Sequence, residues 1–159
     1  MKLCLLYSVL FIFGGLVSMA PDTLVIAGSN VAIRQTKPVY EAYKGVAIGT
    51  TAADVRLKLG KPADQSDAED DFTFSDSESA RVFYDENKTV RAISIMYTGD
   101  LKLAPAPKAI VGTDIAAKPD GGMHKTVQYP KAGFWISYVR TGGDDAIVIV
   151  TLQKMTKES

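Results

Sequence analysis

The chain is almost without the residues that carry covalent and metal chemistry. Cysteine occurs once, as Cys4, and histidine once, as His124. A lone cysteine at the very start leaves the rest of the chain with no disulfide, no thiol nucleophile and no thiolate metal site. A Ser-His-Asp relay would have to use His124 as its base. That residue stands in Gly121-Gly122-Met123-His124-Lys125, a loop-like stretch with no nucleophile motif beside it. G-x-S-x-G, H-E-x-x-H and a glycine-rich phosphate loop are all missing. No catalytic residue, metal ligand or cofactor-binding residue is expected, and no cofactor.

Excess charge of one sign is missing too. The 18 basic and 18 acidic residues balance, so electrostatics offers no reason for nucleic acid or an anionic membrane surface to be a partner. Long apolar runs are absent except at the start. Met1-Lys2 precedes an apolar run from Leu3 to Val17, and Ser18-Met19-Ala20 follows it. A basic residue, an apolar core and small residues in that order are the layout of a secretory signal. The run falls short of the roughly 20 residues of a spanning helix. Pro21 hinders a cut after Ala20, which leaves cuts after Ser18 or Ala27, or retention of the segment as an anchor. Cys4 opens the apolar run, whereas a lipoprotein cysteine closes it. The expectation is an exported protein, periplasmic or secreted and not a lipoprotein, touching a membrane only through an uncleaved leader. Residues 1–20 are set aside as signal or anchor, and the remainder is one domain by size.

What is present is a pattern of short strands around one clear helix. Residues 21–45 read as a lead-in, with β-like runs at 23–27 and 31–34 and a single helical turn over Pro38–Lys44. Thr51 to Leu59 has the features of a helix: Thr51 as N-cap, Asp54 three residues on, and Gly60 then Pro62 as stop signals. Ala52, Val55 and Leu59 share one face, and an aspartate at Val55 or Leu59 is expected to unfold the domain. The acidic stretch from Asp64 to Asp71 lacks the D-x-D-x-D-G spacing of a calcium loop and reads as a solvated loop. Strands are predicted at Phe72–Phe74, Ala80–Tyr84 and Thr89–Tyr97, the last two joined by a tight turn at Asp85–Lys88. The Ala-Pro alternation of residues 100–107 reads as a linker. Residues 108–155 form a β-rich second half, with strands at Lys125–Tyr129, Gly133–Arg140 and Ala146–Gln153. Each half runs from a Lys-Pro through an aromatic strand to a β-branched strand, so two degenerate halves of one design are an expectation.

Tyr129, Phe134, Trp135 and Tyr138 gather on one hairpin. Strand alternation puts Phe134, Ile136 and Tyr138 on one face and Trp135, Ser137 and Val139 on the other. These four aromatics are the candidate interaction surface.

Gly49-x-Thr51-x3-Val55-x3-Leu59-Gly60-x-Pro62 resembles the signature of the BamE family, also called SmpA/OmlA, and of related domains with the fold of β-lactamase-inhibitor protein. The likeness extends over about residues 46–97, through Phe72, Phe74, Val82-Phe83-Tyr84-Asp85 and Val90. It implies an α+β fold, a short helix packed on an antiparallel sheet. It also implies a non-catalytic envelope protein that binds another envelope protein, as an accessory of outer-membrane assembly does. The absent lipoprotein cysteine and everything after residue 107 lie outside the pattern. A small-ligand periplasmic module, marked by a sealed apolar pocket, is the alternative. A hydrolase-type enzyme, marked by a cleft with His124 and a carboxylate, is a more remote one.

Overall fold

The structure is a computed structural model that describes residues 37–156, so the leader and the β-like runs at 23–34 lie outside it. The fold is α+β. Residues 42–47 make a small hairpin of β1 (Ala42–Tyr43) and β2 (Val46–Ala47). The helix α1 spans Ala52–Leu59, and α2 spans Pro107–Val111. Seven strands form one antiparallel sheet: β3 (Asp64–Gln65), β4 (Glu69–Ser75), β5 (Glu78–Tyr84), β6 (Val90–Tyr97), β7 (Met123–Tyr129), β8 (Phe134–Arg140) and β9 (Val148–Lys154). Their spatial order is β3-β4-β5-β6-β9-β8-β7. Each half is thus a helix followed by an antiparallel meander, of four strands in the first half, counting the two-residue β3, and three in the second. The last strands of the two halves, β6 and β9, pair antiparallel at the centre, with Ser94 opposite Thr151.

Local chemistry accounts for α1. The Thr51 hydroxyl accepts from the Asp54 N–H at 3.2 Å and donates to the Asp54 carboxylate at 2.8 Å, a reciprocal cap. Gly60, at φ 88°, ends the helix where a side chain would be strained. The Ala52 N–H donates to the Lys88 carbonyl at 2.9 Å, and the Gly49 N–H to Val90 at 2.8 Å, which fastens the helix entrance to the start of β6. One face of the sheet then meets α1, α2 and the small hairpin. Its core includes Val55, Phe72, Val82, Ile93, Ile95, Ile110, Val127, Ile136 and Leu152.

Three segments differ from expectation. Pro38–Lys44 makes no helical turn. Lys44 (φ 46°) and Gly45 (φ 81°) both take positive φ, the two-residue hairpin turn that joins β1 to β2. The acidic stretch is a loop only in part, because β3 pairs with β4 through Asp64↔Asp71 and Gln65↔Asp70. Asp70 is fully buried. Residues 100–107 are no simple linker: a 3-10 turn (Leu101–Leu103) and the first residue of α2 fall within them. Proline at the first position of α2 replaces an N–H that would have no partner there, which is why a proline-rich stretch can open a helix.

A tyrosine cluster seals the hairpin end of the core. The Tyr43 hydroxyl donates to Glu78 at 2.8 Å, and Tyr97 bonds to the same carboxylate. Burial, then the Glu78 charge, pushes the Tyr97 hydroxyl up to about 12. Burial also raises Tyr40, Tyr43 and Tyr84. An unfolded tyrosine ionises near 10, so above that pH the unfolded chain releases protons that the folded chain retains. The stability these groups contribute is complete below about pH 10 and falls as pH rises through 12. Absorbance at 295 nm should therefore rise late, together with loss of the circular dichroism signal. Full tyrosine ionisation near pH 10 with the fold intact would show the cluster to be solvated.

Candidate functional site

The sheet has a second face, opposite the helices and the hairpin. Strand registers align its side chains into three rows that cross six strands. The middle row is Asp71, Arg81, Ser94, Thr151, Ser137 and Thr126. On one side of it lie Glu69, Phe83, Ala92, Gln153, Trp135 and Gln128. On the other lie Thr73, Ser79, Met96, Ile149, Val139 and His124. A hydroxyl row thus runs between two rows that carry the larger apolar groups. Its centre is flush, with Ala92 and Ser137 buried by their neighbours, while Met96 is 40% exposed.

Two shallow hollows mark this face. One, of about 470 Å³, is lined by Asp71, Thr73, Arg81, Phe83, Ser94 and Met96. The other, of about 320 Å³, is lined by His124, Thr126, Gln128, Trp135 and Ser137. Arg81 grips Asp71 with two bonds, Nε at 2.6 Å and Nη2 at 2.9 Å. That pair fixes a donor-and-acceptor patch at one end of the hydroxyl row, and Trp135 with the glutamines stands near the other.

The four predicted aromatics do not stay together. Tyr129, Phe134 and Tyr138 are buried in the core, and only Trp135 stands on the helix-free face. The cluster as a four-residue interaction surface is therefore corrected to Trp135 alone. Hairpin pairing brings all four side by side in sequence, but the two-residue period divides them between opposite faces. The alternation of Phe134, Ile136 and Tyr138 against Trp135, Ser137 and Val139 follows the burial observed except at Ser137, which its neighbours on the outer face bury. Phe83, Met96 and Ile149, the other large apolar groups on this face, were not part of the expected interaction surface. Each sits out of phase with its strand's buried residues, which is the signal that marks it.

His124 is exposed, and among the described residues its one side-chain neighbour in hydrogen-bond range is the Thr126 hydroxyl at 3.4 Å, with no carboxylate beside it. Among the described residues, no group of three or more His, Cys, Asp or Glu is placed to hold a metal ion, and no helix is long and apolar enough to cross a membrane.

No family model matches the chain, and no curated protein matches it. Among solved structures, it is similar to a DUF4309 family protein (YjgB) from Bacillus subtilis subsp. subtilis str. 168. Identity is 16%, the TM-score is 0.47, and the match covers 70% of this chain and 83% of that one. A likeness at that level carries no argument about the site. The α+β class rests on the strand pairings and helices themselves.

Proposed function

We propose that this is a non-catalytic, exported envelope protein that binds another envelope protein through the helix-free face of its sheet. The observation that carries the reading is the position of Trp135. It is a large amphipathic side chain, half-buried among Gln128, Gln153 and Ser137, on the face opposite the core. Tryptophan in such a setting is a frequent anchor of protein contacts, and flanking polar groups set orientation. Adjacent strands lie about 4.8 Å apart, so six of them span about 24 Å. That suits a transient contact of under about 1,200 Å² in total better than an obligate one. The leader pattern supports export, and the likeness to the BamE signature over residues 46–97 supports an envelope accessory role.

Trp135→Ala is the test. On a half-buried position of this face it should cost at most about 1–2 kcal/mol, less than the 3–5 kcal/mol of a buried aromatic. Partner recovery from crosslinked envelopes should fall at least tenfold, the scale of one hot-spot residue. A large fall in melting temperature with partner recovery unchanged would make Trp135 a core residue and remove the reading.

A further inference from the structure

The described arginines are engaged, with one exception. Arg56 grips Asp70, Arg81 grips Asp71, and Arg91 donates to the Tyr84 carbonyl at 3.1 Å while lying 5.5 Å from the Phe83 ring centre. Arg140 closes β8, continues the core-side row of Phe134, Ile136 and Tyr138, and stands opposite Val148 on β9. Its Nε is buried, and no described residue accepts the proton. A buried N–H left without an acceptor costs about 1–3 kcal/mol. Native folds seldom leave one unless a water, an ion or a ligand belongs there.

Arg140 is also one of the residues lining an open hollow of about 380 Å³, with Tyr138 and Val148 of the β8–β9 pair on one side and residues from 100–106 on the other. That is near the small end of ligand sites, which run from about 300 to 1,000 Å³. Much of its wall is apolar: Leu101, Ala104, Pro105 and Val148. The polar lining is Lys102 and Arg140 with Asp100 and Tyr138. Asp100 is already committed, since its carboxylate caps the 3-10 turn at the Lys102 N–H (3.1 Å) and lies 3.9 Å from Lys102 Nζ. Arg140 has no such partner. Tyr138, also in the lining, lies within the field of the Arg140 charge, which opposes the upward push of burial on its hydroxyl.

We propose that this cavity binds a carboxylate carried on a compact apolar group, with the carboxylate against the Arg140 guanidinium and the apolar body against Leu101, Pro105 and Val148. Nε itself is buried, so the two oxygens of a planar carboxylate would meet the terminal Nη pair, whose spacing they match. Lys102, the other cation of the lining, lies beside Asp100 and is 89% exposed, which leaves Arg140 as the charged donor for a two-oxygen anion. Arg140 points to the helix-covered side of the sheet, so this site is separate from the face that carries Trp135.

Benzoate and its neutral counterpart benzamide are the probes, titrated into the full chain labelled with ¹⁵N. The Arg140 Nε–H resonance is assigned by its disappearance in Arg140→Lys. Benzoate should shift it saturably and show transferred contacts to the Val148 and Ala104 methyls, whereas benzamide should not. The Trp135 indole N–H should stay in place. Arg140→Gln should weaken benzoate binding at least about tenfold, the loss expected for a charge-assisted bidentate contact. If the variants fail to fold, the Val148 and Ala104 contacts in the unaltered chain assign the site. An Arg140 resonance that never saturates, equal shifts with benzamide, or a response confined to Trp135 would overturn the proposal.

Discussion

Val55→Asp is expected to unfold the domain outright at room temperature, whereas Leu59→Asp, which the shared helix face alone would put on a par with it, is expected to leave it folded because Leu59 is only half-buried. Val55 has no exposed surface. Loss of its packing, about 1.5–3 kcal/mol, combines with the desolvation of a carboxylate that has nowhere to pair. That second cost is several kcal/mol. Together they approach the whole stability of a small domain, about 5–15 kcal/mol. Leu59 is half-buried at the last turn of α1. An aspartate there can turn to water and should lose only about 1–2 kcal/mol of apolar burial. Far-ultraviolet circular dichroism and a urea melt of the two variants check the contrast. A folded Val55→Asp protein would mean that α1 does not close the core.

Arg56→Ala is expected to cost about 3 kcal/mol, with a fall in melting temperature on the order of 10 °C. Arg56 reaches from α1 to Asp70 on β4, with Nε at 2.8 Å and Nη2 at 3.0 Å, and the Tyr84 hydroxyl donates to the same carboxylate at 2.7 Å. Asp70 is 0% exposed, so removal of the guanidinium leaves an anion in the core with a single donor. The Asp70 carboxylate beside Arg56 in turn holds its guanidinium above the ordinary range. Arg81→Ala supplies the control. Its pair with Asp71 has similar bidentate geometry, but the side chains are 51% and 31% exposed. Such a pair contributes at most about 1 kcal/mol. Equal losses from Arg56→Ala and Arg81→Ala would show that the Asp70 pair is as solvated as the surface one. The comparison also tests the helix docking, because Arg56 joins α1 to the sheet beside Val55.

The helix and the central strands were legible because their signals are local. A capping threonine, a stop glycine and a proline fix α1 within twelve residues. Period-two alternation marks β6 and β8 wherever one face is buried. Non-local pairing was not legible. No property of residues 64–71 read alone distinguishes a solvated acidic loop from a strand, because what buries Asp70 is an arginine fourteen positions earlier in α1 and a tyrosine fourteen positions later in β5. The small hairpin was missed because Lys44 takes a positive φ, which a lysine seldom adopts. Its neighbour Gly45 was the only hint. A second half completing the first was expected, but not how the two join: β6 pairs with β9 and one sheet results. That pairing depends on neither half's internal pattern.

The candidate face shows the same division. Alternation alone separates Trp135 from Phe134 and Tyr138, and this much could be read in advance. The continuous middle row from Asp71 to Thr126 could not. It exists only because five strand registers agree. Arg140 gave no sequence signal at all, since its isolation from acceptors is a property of how residues 100–106 pass over the end of β8.

The most direct measurement is site-specific photocrosslinking in the native envelope, with the reactive residue at Thr151 in the middle row or at Leu57, which is 83% exposed on the outer side of α1. The account predicts one discrete protein adduct from Thr151, lost when Trp135→Ala is added, and none of that mass from Leu57. The same adduct from both positions, or an adduct from Leu57 alone, would contradict binding through the helix-free face.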